Sequence, residues 1–574
     1  MKHTSKYLLL ALSFLFSVAT VSAQVKLKDA LKAVVQVKAY DAANQLIASG
    51  NGFYVSDKGD VVCAYQVLAK ADRAEVTDMK GKTFALARIL GADSSNDLIR
   101  FSTAATSSTP FFRLCDAPVS QGSALQIVRF SKDKKQKPEA VTVTADAPYN
   151  LYKYYDLSVA NEDRNMMCPL LDEEGTLVAM TQKNMKKDAT TACAIDARFI
   201  QSLTMSSTAA IQSDLRALAL PKALPEGMKE ASTFLYLMNK ADTVNCLLAY
   251  DDFVAAYPSA PDAFVSRANY LASIGRFQDC EKDYAAAFRA AETAADTLMQ
   301  PDAVHYALSD LIYRTIILQT DSIPVFEGWT MERALEEASK AYALKPFTLY
   351  NYQKANCLFA LRRYEDAYLG FRAVLSDSNF VSPEVYMSAI RSLERARKND
   401  PEILVLCDSM IQSLPQPLTT KSAPYYLERA RRYLAAEKFR EAVFDYNEYE
   451  KIIGPRNLNE KFYYLRHQAE VKAKMYQQAL DDIRTAVAIA PLPLAYRLQE
   501  ALLLLRVGEF ADAEKAAKEL LKDLPENPDC HRIIGLCAGE QGRKQEALQH
   551  LRKAQELGDE NVEAYIEKYS KSGL

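Results

Sequence analysis

From residue 228 to its end the chain repeats itself. Ala479, Ala513 and Ala547 are spaced 34 residues apart. Each closes the same short pattern: a glycine or polar residue, an aromatic two positions on, then a small residue three positions further. Gly275, Phe277 and Cys280 form one such set, and Arg362, Tyr364 and Ala367 the next. Glu437, Phe439 and Ala442 follow, then Lys474, Tyr476 and Ala479, then Gly508, Phe510 and Ala513. Gly542, Lys544 and Ala547 complete the series, with lysine in the aromatic place. A fixed period constrains the fold more than any other feature here. A unit this short cannot bury its apolar face alone, so the units must stack on one another.

The other recurrent positions say how. Small residues fall in the first half of each unit at Ala268, Ala355, Ala430, Ala501 and Gly535, and in the second at Ala287, Ala341, Ala486 and Ala554. Pro258, Pro346, Pro491 and Pro525 end the units, because proline cannot donate the next helical hydrogen bond. Two helices that approach closely over small side chains, with aromatics filling the space between units, account for every position. In these residues the chain resembles tetratricopeptide repeats over 230–561, in eight or nine copies, with a terminal helix over Val562–Ser570. Residues 293–329 depart from the pattern and predict a longer hairpin or loop. Residues 383–417 match weakly. His467 takes a place that otherwise holds a small residue and predicts local repacking.

Before residue 204 the pattern changes period. Residues 33–40, 53–55, 61–64, 84–90 and 98–101 are short apolar or β-branched runs separated by Gly, Asp, Asn or Ser. They predict strands of a barrel or sandwich. Residues 204–227, with Pro221 and Pro225, form a mixed linker. Residues 1–23 carry Lys2, His3 and Lys6, an apolar run from Leu8 to Val18, and Val21-Ser22-Ala23 before Gln24. They read as a secretory signal peptide, too short in their apolar part for the ~20 residues of a membrane span. The expected domains are thus 1–23 leader, 24–203 β-domain, 204–227 linker and 228–574 repeat domain.

The run from Gly50 to Val67, with its Gly50-Asn51-Gly52-Phe53 start and Gly59 turn, resembles the opening strands of chymotrypsin-like (trypsin-like) serine proteases of the HtrA/Deg type. Residues 76–84, 93–99, 169–179 and 193–196 resemble, in order, that family's next hairpin, its aspartate segment, the strands after its nucleophile and the strand before its last helix. The resemblance implies an all-β double barrel over about 30–203, followed by the all-α repeat solenoid. It also implies a Gram-negative source; with the signal peptide, the expected location is the periplasm or cell envelope. The family's histidine, aspartate and serine positions fall on Gln66, Asp97 and Met166. Its Gly-Asn-Ser-Gly-Gly-Pro motif falls on Arg164-Asn165-Met166-Met167-Cys168-Pro169, so the oxyanion-hole glycines are replaced as well.

The five histidines are His3, His305, His467, His531 and His550. None lies between residues 4 and 304, which excludes a Ser-His-Asp or Cys-His mechanism within the β-domain. The expected protein is a pseudoprotease. A hydrolase with a non-standard nucleophile is the alternative, with Cys168 or a Ser-Lys pair as its candidates. Cys168 reads better as a buried thiol or half of a disulfide, and Cys63, Cys115, Cys168 and Cys193 allow three pairings. Asp97, without a histidine, reads as a structural acceptor.

Lys+Arg is 70 and Asp+Glu 73, a net charge of −3, so no nucleic-acid partner is expected. The basic residues 132–137 lie between apolar runs and predict a solvated hairpin loop. Zinc and phosphate-loop spacings are missing, and neither a metal nor a cofactor is expected. The first helices of such repeats line a concave face. The register places Asn269, Tyr352, Asn356, Arg431, Tyr464, Gln468, Lys472 and Arg506 on or near it, a candidate groove for a protein or peptide. Three functions compete: a binding scaffold, a shifted-nucleophile hydrolase, and an assembly component of a cell-envelope complex. The missing histidine favours the first.

Overall fold

The computed structural model describes residues 25–133, 135–238, 240, 242–293, 299–319, 326–397 and 401–571. The leader reading lies outside the described residues. Among the described residues, twelve strands make two closed six-stranded barrels. The first holds β1 (Val34–Tyr40), β2 (Leu46–Tyr54), β3 (Asp60–Cys63), β4 (Arg73–Thr77), β5 (Thr83–Asp93) and β6 (Leu98–Thr103), in the order β1-β2-β3-β6-β5-β4. The second holds β7 (Ala124–Ile127), β8 (Glu139–Tyr149), β9 (Tyr152–Ala160), β10 (Pro169–Leu171), β11 (Leu177–Gln182) and β12 (Thr191–Asp196), in the order β10-β11-β12-β9-β8-β7. All pairings are antiparallel. This is a trypsin-like double barrel.

Strand alternation sends neighbouring side chains into different cores. On β3, Val61 and Cys63 enter the first barrel while Val62 joins the layer between barrels. On β11, Ala179 lines the second barrel and Met180 the same intervening layer. Strands buried on both faces read as continuous apolar runs rather than alternating ones. Gly52 has no room for more: a Cβ there would stand 2.8 Å from Val37 Cγ2 and 3.0 Å from Val62 O.

Residues 204–227 do not hang free. Ala209, Leu215, Leu218 and Leu220 bury themselves in the first-barrel core. Ile89 donates to Pro221 O at 2.8 Å, and Ala223 donates to Ile89 O at 2.8 Å, so the connector runs along β5.

Two four-residue helices, α1 (Tyr65–Leu68) and α2 (Ser213–Arg216), belong to this half. Then come α3 (Met228–Leu237), α4 (Thr243–Ala256), α5 (Pro261–Ser273) and α6 (Phe277–Thr293). A bidentate Arg88–Asp252 pair, at 2.6 and 3.0 Å, ties β5 to α4. The barrels and α3–α6 lie in one compact unit and the remaining helices in a second.

The second unit holds α7 (Pro301–Ile317), α8 (Met331–Leu344), α9 (Thr348–Ala360), α10 (Tyr364–Val374), α11 (Pro383–Ala396), α12 (Glu402–Gln412), α13 (Ala423–Ala435) and α14 (Phe439–Ile453). It continues with α15 (Glu460–Lys472), α16 (Tyr476–Ile489), α17 (Leu494–Val507), α18 (Phe510–Leu520), α19 (Pro528–Glu540), α20 (Lys544–Glu556) and a closing α21 (Glu563–Lys571). Consecutive helices pack as hairpins. The irregular stretch 293–329 contains the 17-residue α7, paired with α8, and the weakly matching 383–417 forms the hairpin α11/α12.

The repeat markers have a physical basis. Gly275, Arg362, Glu437, Lys474, Gly508 and Gly542 all have positive φ, between 57° and 87°. They are the left-handed residues that turn one helix into the next, which is why glycine recurs there without being obligatory. Cys280, Ala367, Ala442, Ala479, Ala513 and Ala547 are fully buried. At Gly535 a Cβ would stand 2.7 Å from Leu551 Cγ. His467 fits by turning its ring onto Tyr464, 4.8 Å between centroids, and donating from Nδ1 to the Tyr464 carbonyl.

A clasp repeats in three hairpins. Arg267, Arg429 and Arg466 each bind, bidentate, the aspartate sixteen residues on: Asp283, Asp445 and Asp482, at 2.6–2.9 Å. The remaining guanidinium nitrogen reaches the preceding hairpin, at Asp251, Asp408 and Glu450 respectively. Each arginine therefore joins three helices. Breaking a buried pair on one side strands the other charge and costs about 3–5 kcal/mol. Asp482→Ala is expected to destabilise α15 and α16 by that order, with hydrogen exchange in those helices accelerating ahead of the barrels.

Glu470 lies buried beside this clasp, its Oε2 without a hydrogen-bond partner. Burial, then the charge of Asp482, pushes its carboxyl well above the usual range. The folded state therefore holds a proton that the unfolded chain releases near pH 4–5. Stability from this site is present at low pH and falls as pH rises past that range. Glu470→Gln, which mimics the protonated form, is expected to raise thermal stability at pH 8 and to change it little at pH 4.

Candidate functional site

Gln66, Asp97 and Met166, the positions expected to match the protease triad, sit on turns held by their surroundings. Gln66 lies on α1, and its side chain is exposed. Asp97 occupies the β5–β6 turn with φ of 50°. Its Oδ1 accepts from the Gln66 backbone N–H at 2.9 Å and its carbonyl from Tyr65 N–H at 3.2 Å. Burial raises its carboxyl pKa against the pull of these bonds. Asp97 thus fastens the α1 turn by its backbone, as an acceptor. The connector braces both turns from behind: Asp214 accepts from Ser94 N and Oγ at 2.9 and 2.8 Å, and Tyr65 OH donates to Asp214 O at 2.8 Å.

Met166 follows a single 3-10 turn, Asp163–Asn165. Its N–H donates to Asp163 O at 3.1 Å, so the amide at the nucleophile position is spent inside the turn. Met167 keeps a left-handed backbone, φ 53°, in a place where the family motif has glycine. Its side chain is buried in the layer between barrels, and that burial offsets the cost of this backbone for a residue with a Cβ. Asn51 on β2 reaches across and donates from Nδ2 to Met166 O at 2.8 Å. Asn165 is buried, bound to Ala160 O at 2.8 Å and to Arg129 Nε at 2.7 Å.

Cys168 is buried behind this turn. Its Sγ faces the carbonyls of Arg164 and Met166, each at 3.6 Å, and Asn51 Nδ2 at 3.4 Å. Burial pushes its thiol up to about 12 despite nearby Arg129. Two carbonyls facing a sulfur favour the thiol as donor and oppose a thiolate. Cys63, Cys115, Cys168 and Cys193 are free thiols, so none of the three possible pairings forms.

Beyond β11 the Asn161 side chain bonds the backbone of Asn184. Asn184 N–H donates to Asn161 Oδ1 and Asn184 O accepts from Asn161 Nδ2, both at 3.0 Å. Asn96 closes the seam further: it bonds Tyr149 OH at 3.1 Å and Tyr154 OH at 2.7 Å, and its carbonyl accepts from Gln182. Lys183 and Lys186 pair with Asp163 and Asp156 at this end.

On the repeats, Gln468 and Lys472 line one open depression of about 460 Å³ with Leu434, Phe439, Leu465 and Gln499. Most of its walls come from α13, α15 and α17, the first helices of three successive hairpins. Leu465 is 49% exposed at its rim, an apolar side chain offered to solvent. The remaining candidates do not enter this depression. Tyr464 stacks on Tyr496, 4.5 Å between centroids, and Arg506 lies 5.0 Å from the Tyr476 ring. Arg431 pairs with Glu428 and Glu394, Tyr352 packs edge-on to Phe371, and Asn356 is half-buried on α9. Asn269, in the first unit, accepts from Tyr284 OH at 3.3 Å. Sequence reasoning missed Leu465, because an apolar residue in a helical register reads as core, and it did not single out Gln499. The arginine clasp escaped it too, although an Arg and Asp sixteen apart recur in the sequence.

Residues 498–562 match the family model of the tetratricopeptide repeat. The match covers most of α17 and all of α18, α19 and α20. These repeats are protein-interaction units, built to offer a side-by-side row of helices. The chain matches no curated protein. Among the described residues no helix is long and apolar enough to cross a membrane.

The thiol geometry makes a direct prediction. In native protein at pH 8, without reductant, Cys168 is expected to resist iodoacetamide. After denaturation, the peptides of Cys63, Cys115, Cys168 and Cys193 should all carry the label, as read by mass spectrometry.

Proposed function

We propose that this chain is an exported scaffold that binds an extended segment of a partner protein on the first-helix face of its repeats, and that its double barrel performs no hydrolysis. The depression across α13, α15 and α17 carries the reading. It joins apolar walls to Gln468, Gln499 and Lys472, the mixture that fixes a peptide by shape and a few polar contacts. The barrel supports the same reading. Gln66 cannot act as a base, Met166 has no transferable proton, and its N–H is already bonded. The buried thiol of Cys168 lacks a histidine within its domain.

Peptides selected from a displayed random library against the full chain are the test. Those that bind wild type are expected to lose at least tenfold in affinity to Leu465→Glu combined with Lys472→Glu, and nothing to Asn161→Ala. Equal loss with Asn161→Ala, and none with the repeat variant, would move the binding site to the cleft. Export has its own check: on expression in a Gram-negative host, the periplasmic fraction is expected to hold a chain beginning at Gln24.

A further inference from the structure

Two of the five histidines meet. His531, in the first turn of α19, and His550, in the middle of α20, bring their Nδ1 atoms to 3.0 Å, with ring centroids 5.3 Å apart. Both rings are half-buried, so solvent reaches them. The meeting is preset by the hairpin. Gly535 lets Leu551 close against α19, and Leu551 is the neighbour of His550. Ala547 and Ala554, one turn either side on α20, are fully buried.

Two imidazole lone pairs cannot face each other at this distance without a positive centre between them. A proton supplies one: one ring donates and the other accepts. A divalent transition metal supplies another. Two nitrogens at about 2.0–2.1 Å from a common ion, at an angle between square and tetrahedral, stand roughly 2.9–3.4 Å apart. The observed separation falls within that span. The donating ring need only move its proton to Nε2 to free its Nδ1.

We propose that His531 and His550 form a two-histidine site for a divalent transition metal such as Zn²⁺ or Cu²⁺, clipping α19 to α20. Imidazole is a ligand for these ions and a poor one for Mg²⁺ or Ca²⁺. Among the described residues no third His, Cys, Asp or Glu completes a ligand group, so water fills the remaining positions. Glu546, one turn before His550, is held by Arg543 and Lys518. Glu514, the other acid near the pair, is bound by the same two residues.

The test uses the full chain with Zn²⁺ and Cu²⁺ as probes. Calorimetry is expected to show one saturable Zn²⁺ site, weakened at least tenfold by His531→Gln or His550→Gln and unchanged by His305→Gln. Circular dichroism checks that each variant folds. Cu²⁺ bound to wild type is expected to give an electron paramagnetic resonance signal split by two imidazole nitrogens. Absence of saturable Zn²⁺ binding overturns the site and leaves a proton-shared pair. Binding undiminished in the double variant, or a copper signal without two nitrogens, overturns it equally.

Discussion

The close approach of paired helices over side chains no larger than a methyl or thiol governs the C-terminal half. Wherever Cys280, Ala367, Ala442, Ala479, Ala513 or Ala547 sits, its helix lies against the preceding one with no space left over. That contact fixes how far apart the helices stand and how they are rotated. The rotation decides which side chains of each first helix face solvent. The depression over α13, α15 and α17 is therefore a consequence of alanine-sized contacts elsewhere in the same hairpins. Enlarging one of them in a close-packed interior forces side chains off their rotamers and moves the first-helix face.

Much of this was legible because periodic features are steric. The turn residues could be read because a left-handed backbone favours glycine and admits a few polar residues, and all six markers adopt it. The arginine clasp could not be read by the same rule. It is electrostatic, present in some hairpins and missing from others: Lys354 and Glu500 stand where its arginine would be. The depression was half legible. Gln468 and Lys472 are polar at exposed register positions, whereas Leu465 is apolar and nothing in the sequence marks it as exposed. The connector 204–227 looked like a tether because its composition is mixed. Its buried leucines show that it forms part of the first barrel's core.

In the barrels, Gln66 and Met166 stand at the positions expected for the family's histidine and serine, and the polar side chains around them are bonded to their neighbours. Asn51 bonds across to Met166, Asn161 bonds the backbone of Asn184, and Asn96 laces the seam between barrels. Most buried polar groups are hydrogen-bonded, and these asparagines find their partners along the seam itself. Asp97 shows the same economy: it keeps its position and serves the backbone of the neighbouring turn. The barrel then acts as a rigid body whose rear carries the connector and, through Arg88–Asp252, the first hairpin.

The central claim is a division of labour, with binding on the helices and no chemistry in the barrels. Incubating the intact protein with a serine-reactive fluorophosphonate and with casein tests it most directly. The account predicts that the fluorophosphonate labels no residue and that casein stays intact. Stoichiometric labelling of one residue, together with cleavage that disappears when that residue is substituted, would contradict it.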